Sequence, residues 1–390
     1  MIPYGKHNID QDDIDAVINV LKSDWLTQGP KVPQFEKLVS EYCGASHSIA
    51  VNSATSALHV ACMAMGVGPG DIIWTSSISF VASANCARYC NADIEFIDIN
   101  PSTYNICVVS LEENLKKAKN NNCLPKVVIP VAMTGMSCDM KKIRQLSKEY
   151  NFLILEDASH ALGGEYSGLK VGSCSFSDAT VLSFHPVKMI TSIEGGMILC
   201  NSEKLAKKMR LLREHGINKN HIDFLDKDQG PWHYEQTMLG YNYRMNDVQA
   251  ALGISQLKKL DYFVKTRNEQ AKFYNSCLSN LPIELPSVDE STISSFHLYI
   301  VRTTKDISLK MKKEIFKKLH EQGILVGLHY APIYRHPYYK NLKYINEDYP
   351  NSELFYRTAI SLPIYPGLSE KNQIHVKENL EIILNSFNLA

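Results

Sequence analysis

Between about residues 50 and 200 the chain alternates short β-rich runs with segments of helical period, and this alternation limits the possible folds more than any other feature. The runs are Ile72–Thr75, Ile94–Ile99, Val127–Ala132, Phe152–Leu155, Ala179–Phe184 and Gly196–Cys200. Between them lie helical candidates at Ser56–Met65, Phe80–Cys90, Leu111–Lys119, Met140–Tyr150 and Glu203–Glu214. Strand, helix, strand in succession predicts an α/β fold with a mainly parallel sheet covered on both faces. A long helical pattern starts near Asn246 and runs through "NDVQAALGISQLKKLDYFVKTRNEQAKFY", with apolar residues three and four apart. Beyond it, "SSFHLYIVRT" reads as a strand, and Lys310–Gln322 and Glu370–Asn385 read as helices, which predicts a smaller α+β C-terminal domain. The expected division is 1–250 for a large domain with its N-terminal segment and 251–390 for the small domain, which begins within a long connecting helix. Asn220–Thr237 reads as a surface loop.

Length and charge exclude several classes. The chain has 390 residues, enough for two domains, and 41 basic residues balance 41 acidic ones, so the overall positive charge of a nucleic-acid binder is missing. No apolar run approaches the 18 or so residues a membrane helix needs, and Met1–Lys6 lacks a signal-peptide core, so a cytoplasmic protein without a membrane partner is expected. The ten cysteines are scattered without a Cys-x-x-Cys pair; Cys86 and Cys90 lie in an apolar stretch. They read as buried thiols of a reducing compartment, and no metal site is expected.

Ligands of open parallel sheets gather at the carboxyl ends of the strands, and three such tips carry chemistry. After "FLIL" comes Glu156-Asp157-Ala158-Ser159-His160; after "ATVL" come Ser183, His185 and Lys188; ahead of the helix at Ser56 come Asn52, Ser53, Ala54 and Thr55. Each alone has an ordinary reading: a surface lysine, a turn aspartate, a helix cap, a core histidine at His160, a core phenylalanine at Phe80. Together they supply what pyridoxal phosphate requires: an amine, an acid for its ring nitrogen, an anion cradle and a flat group for its ring. Asp157 and Lys188 are separated by about one strand-helix or strand-hairpin excursion, so both can sit at neighbouring strand tips. The helix opened by Asn52–Thr55 offers free N–H groups and a positive dipole end to a phosphate.

With these residues in view, the chain resembles the DegT-like nucleotide-sugar aminotransferases, pyridoxal-phosphate enzymes of fold type I. The resemblance runs from "LTQGPKVPQFE" (Leu26–Glu36) through "NSATSALHVA", "EDASHALG", "SFHPVK…EGGM" and "LGYNYRMNDVQAALGISQL" to "LHYAPIY" (Leu328–Tyr334). It implies that Lys188 is the Schiff-base lysine and the base that moves the proton between substrate carbon and cofactor. Asp157 would pair with the pyridine nitrogen. His160, where many relatives carry Gln, would face the phenolic oxygen, and Phe80 would stack on the ring. Ser183, Ala54 and Thr55 would hold the phosphate, joined by Asn242 of a neighbouring subunit, which implies a homodimer with shared sites. Close relatives that dehydrate carry a histidine in place of the lysine; here the lysine is present.

The same resemblance implies L-glutamate as amino donor, leaving as 2-oxoglutarate, and C4 of a 4-keto-6-deoxy sugar on a nucleoside diphosphate as acceptor. "DASHALG", "SFHPVK", "IPYGKHNIDQDDIDAV" and "LHYAPIYRHPYYK" are similar to the branch that makes UDP-4-amino-4,6-dideoxy-N-acetyl-β-L-altrosamine for pseudaminic acid. Other 4-keto sugars, of the bacillosamine, legionaminic or perosamine type, are the alternative, because spacing does not report hexose orientation. His329 and Tyr330 are expected to face the sugar, and Thr27, Gln28 and Gly29 the nucleotide, with purely structural roles as the competing reading. "GVGPGD" (Gly66–Asp71) follows a helix and lacks the third spaced glycine, so a dinucleotide site is not expected. A non-catalytic pyridoxal-phosphate sensor is the rival from another class; it would call for a DNA-binding appendage, which is not expected from these residues.

Overall fold

The computed structural model describes residues 1–219, 224–225, 230–341 and 348–389. Its centre is a seven-stranded sheet. Across it the strands lie in the order His47–Val51, Gly196–Cys200, Ala179–Ser183, Leu153–Asp157, Val127–Ile129, Ile72–Ser76, Asp93–Ile97. Gly196–Cys200 runs antiparallel to both its neighbours, and the other pairs are parallel. Helices cover both faces, so Val127–Ile129, Ala179–Ser183 and Gly196–Cys200 are buried at every position. Burial on both faces is why these strands are continuous apolar runs and not alternating ones.

The helices begin where local capping dictates. Ser53, extended at φ −163°, accepts from the Ser56 N–H and starts Ala54–Ala64, two residues ahead of the expected start. Ser202 does the same for Glu203–Arg213. The expected long connecting helix is two helices, Asp247–Leu257 and Leu260–Cys277. The periodicity continues through the break because the break is a single tight turn, in which the Lys259 N–H donates to the Gln256 carbonyl at 3.0 Å. That turn aims two side chains at one fully buried carboxylate: Gln256 Nε2 and Lys259 Nζ lie 2.7 and 2.6 Å from Asp13 Oδ2. Asp13 belongs to an N-terminal helix, Gln11–Leu21, which packs with Lys31–Cys43 against Asp247–Leu257.

A second, antiparallel sheet of Ile283–Glu284, Tyr299–Thr303 and Ala359–Leu362 packs against Leu309–Glu321 and Glu370–Ser386. The strand expected over Ser294–Thr303 is thus shorter; its first half is a loop. Position 250/251 falls inside Asp247–Leu257, whose Ala250 belongs to the core beneath the large sheet, as do Leu260, Phe263 and Val264. From Ala271 and Tyr274 onward the side chains join the core of the second sheet, so the change of core occurs midway along Leu260–Cys277. Ile2–Pro3 pairs in parallel with Ile324–Leu325 and adds Ile2 to that second core. Of the loop expected over Asn220–Thr237, positions 220–223 and 226–229 lie outside the described residues, and Glu235–Gln236 forms a short strand with Ile217–Asn218. All ten cysteines are free thiols, seven of them buried. No helix among the described residues is long and apolar enough to cross a membrane.

Candidate active site

The loaded strand tips meet at one cavity of about 550 Å³, within the usual range for small-molecule sites. Asp157 ends the strand Leu153–Asp157, in register with Val181 of the neighbouring parallel strand. Two residues beyond Val181 that neighbour ends at Ser183 and its chain enters the loop bearing Lys188. Asp157, Ser183 and Lys188 all line the cavity, joined by Ala54, Thr55, Phe80, His160, His329 and Tyr330.

Asp157 is 5% exposed, and a buried carboxylate must be paired or hydrogen-bonded. Ser83 Oγ donates to Oδ2 at 2.7 Å, and Ser159 donates to Oδ1 from its hydroxyl at 2.6 Å and its N–H at 3.1 Å. Those donors fix the anion in orientation while leaving it facing the cavity. Across from it, burial lowers the Lys188 ammonium to about 8, with the Asp157 charge opposing the shift. A lysine tuned this way is a competent base and nucleophile near neutral pH. The rate at which apoprotein captures an aldehyde at Lys188 is therefore expected to rise about tenfold per pH unit up to about pH 8 and then level, as the neutral amine saturates. Stopped-flow absorbance from pH 6 to 10 reads this directly; a rise continuing to pH 10, as for a solvated lysine near 10.4, contradicts the desolvated state.

The cradle at Ala54 and Thr55 follows from the helix start. The first-turn N–H groups of a helix have no intrahelical acceptors, and Ser53 Oγ takes only that of Ser56. The N–H groups of Ala54 and Thr55 point the same positive end at the cavity. Gly196 makes this approach possible: a Cβ there would lie 2.5 Å from the Ser53 carbonyl oxygen and 2.6 Å from the Ala54 nitrogen. Both obstructing atoms are backbone, so Gly196→Ala must displace the cradle itself. We expect at least a tenfold weaker hold on a phosphorylated cofactor, about 1.4 kcal/mol or more, read by equilibrium dialysis against apoprotein. An unchanged dissociation constant refutes the cradle.

Phe80 stands 55% exposed at the rim, its ring centroid 6.0 Å from that of Tyr330; an exposed aromatic at a cavity mouth is a surface for a flat ligand. His160 is buried, with Nε2 3.2 Å from the Tyr330 hydroxyl. Burial, then the neighbouring Lys188 and His329, push its pKa well below the usual histidine value, so it is neutral. Its Nδ1 is buried with no hydrogen-bond partner among the described residues. His329 is held by Ser361 Oγ at 2.9 Å and is lowered to about 4, first by burial and then by Lys188. These residues fit pyridoxal phosphate: an amine, an oriented carboxylate, a phosphate cradle, an aromatic face and an unsatisfied buried imidazole nitrogen converge on one cavity.

Four nominated residues lie elsewhere. The Gly29 N–H donates to Asp247 Oδ1 at 3.2 Å, and Gln28 Nε2 reaches Glu214 Oε1 at 3.5 Å, so Thr27–Gly29 is tied beside the start of Asp247–Leu257. Asn242 is exposed and forms a β-bridge with Glu214. Thr27–Gly29 and Asn242 therefore share one surface region, away from the cavity of their own chain. Conversely, the cavity uses residues the sequence reading did not nominate. Ser159 lies within the quoted "EDASH" and its place beside the aspartate was a usable signal. Ser83 and Tyr4 reach the site only through the fold.

A sequence model of the DegT/DnrJ/EryC1/StrS aminotransferase family matches residues 7–381. The UDP-4-amino-4,6-dideoxy-N-acetyl-beta-L-altrosamine transaminase of Campylobacter jejuni (strain 81-176) is 40% identical over 386 residues, 98% of each chain. Among solved structures, Helicobacter pylori PseC, an aminotransferase involved in the biosynthesis of pseudoaminic acid, superposes with a TM-score of 0.88 at 33% identity, covering 99% of this chain and all of that one. The PMP form of Streptococcus pneumoniae Spr1654 superposes at 0.90 with 29% identity over the full length of both chains.

Proposed function

Since this chain belongs to the DegT/DnrJ/EryC1/StrS aminotransferase family, and is a fold-type-I, pyridoxal-phosphate-dependent aminotransferase of nucleotide sugars, we propose that it transfers the amino group of L-glutamate to C4 of a UDP-linked 4-keto-6-deoxy-N-acetylhexosamine. The product is UDP-4-amino-4,6-dideoxy-N-acetyl-β-L-altrosamine. The observation that carries the chemistry is the meeting of Lys188 and Asp157 at one cavity; the choice of sugar is supported by the 40% identity over nearly the whole chain.

When bound, the cofactor supplies an aldehyde that takes up the amino group and a protonated ring that draws electron density from the reacting carbon. The chain does the rest. Asp157 holds the proton at the ring nitrogen, with Ser83 and Ser159 fixing its carboxylate. Lys188 adds or removes the proton at the sugar's C4 carbon, which its lowered pKa permits at neutral pH. The Ala54 and Thr55 N–H groups and the Ser183 hydroxyl bind the phosphate. Phe80 shields the ring face from water, and His160 donates or accepts at the phenolic oxygen. His329 and Tyr330 orient the hexose.

We assign Asn242, and with it Thr27–Gly29, to the site of a second copy. Their grouping on one surface, outside their own cavity, supports a homodimer with shared sites. The test of substrate is to offer aminated enzyme the UDP-linked 4-keto-6-deoxy-N-acetylhexosamines of L-arabino and D-xylo configuration. Conversion of the first to an amine of β-L-altro configuration, by mass and proton couplings, is the expected result. Turnover of the second alone overturns the assignment of the sugar.

A further inference from the structure

We propose that His297 is a positioning residue for amino transfer, acting through His160. The proposal rests on the reading that His160 touches the bound cofactor. His297 does not line the cavity, yet its imidazole lies against that of His160, with ring centroids 4.4 Å apart and planes inclined by 48°. A further constraint on the His160 ring comes from its edge, where Nε2 meets the Tyr330 hydroxyl at 3.2 Å. One contact bears on the edge of the ring and the other on its face, so each restrains its orientation in a different direction.

His297 is itself held from two sides. The neighbouring Ser295 donates its hydroxyl to the His160 carbonyl at 2.7 Å, gripping the same residue by its backbone. The Ser295 N–H donates to the Gly135 carbonyl at 3.0 Å. Gly135 sits at φ +103°, and a Cβ on it would lie 2.4 Å from Ser295 Oγ and 2.9 Å from the Phe296 nitrogen; the two backbones approach too closely for any side chain there. On the other side, Arg267, 1% exposed, donates from one guanidinium nitrogen to the carbonyls of Phe296, His297 and Ile364 at 3.2, 3.3 and 2.9 Å. A buried guanidinium is costly to desolvate, and here two of its three hydrogen bonds hold the loop that carries His297 while the third ties it to Ile364. Burial keeps both imidazoles neutral, and the nearby charges of Lys188 and Arg267 act in the same sense on His297.

The test is a double-mutant cycle of His160→Ala and His297→Ala, with His297→Phe as the conservative variant. It is read as the dissociation constant of pyridoxal phosphate from the apoprotein, and as kcat and KM separately. His297→Ala is expected to weaken cofactor binding and lower kcat about tenfold each, with KM for the amino donor within about twofold. His297→Phe keeps a flat ring against His160 and is expected to restore most of both. The double variant is expected to be no worse than His160→Ala. Additive losses in the double variant, or a His297→Phe protein as impaired as His297→Ala, overturn the positioning role. A His160→Ala protein with unchanged cofactor affinity removes the reading beneath it, and the proposal with it. Should His297→Ala fail to fold, His297→Gln, which keeps bulk but loses the ring face, takes its place in the cycle.

Discussion

Lys188→Ala is expected to abolish amino transfer, by about 10⁴-fold or more, the upper end of what a positioned base contributes, with the loss of covalent attachment added. The fold is expected to survive. The side chain it removes is a desolvated amine whose Nζ makes no hydrogen bond among the described residues, and Asp157, whose charge it faces, keeps its bonds from Ser83 and Ser159, so a change within about 1 kcal/mol is expected. Lys188→Arg is expected to fail equally, because guanidinium stays protonated at any working pH. Borohydride reduction of the holoenzyme, followed by peptide mass analysis, provides an assay independent of turnover: the cofactor mass belongs on the peptide containing Lys188 and on nothing in the variant. Transfer retained by Lys188→Ala, or the adduct on another lysine, refutes the assignment.

Asp157→Asn is expected to lower kcat by about 10² to 10³, the usual effect of removing one preorganised charge from a catalytic site. The substitution preserves shape. Ser83 and Ser159 can turn their hydroxyls to an amide as well as to a carboxylate, so thermal unfolding should move little. What is lost is the negative charge proposed to keep a proton on the ring nitrogen. Cofactor affinity is therefore expected to fall much less than kcat. A proportional loss of both would make Asp157 a binding residue only, and an unchanged kcat would place the ring elsewhere.

The sheet and the heart of the site could be read from the chain because both depend on near neighbours in sequence. Val127–Ile129 and Ala179–Ser183 announce themselves as apolar runs since both their faces are covered, and strand tips are where ligands collect, so topology marked Asp157, Ser183 and Lys188 as candidates, while their expected roles came from their combination and from the resemblance. Residues that depend on distant partners did not. Ser83 reaches Asp157 across 74 positions, and Ser295 reaches His160 across 135; nothing in local pattern marks either serine. The break at Lys258–Lys259 was hidden for the same reason, since Asp13, the carboxylate that organises it, lies more than two hundred positions away. Thr27–Gly29 and Asn242 were nominated by resemblance, and a single chain keeps them outside its own cavity.

The pairing of Ile2–Pro3 with Ile324–Leu325 has a bearing on how this protein can be recombined. It sets the Tyr4 ring 4.6 Å from that of His329, so this part of the cavity lining is assembled from two segments far apart in the chain, while Asp157 and Ser183 come from neighbouring strand tips. With His329 facing the sugar, as proposed, altering which hexose is accepted by grafting segments from a cousin enzyme demands that both segments be exchanged together. A chimaera that swaps either one inherits a mismatched wall, however faithfully the rest is copied.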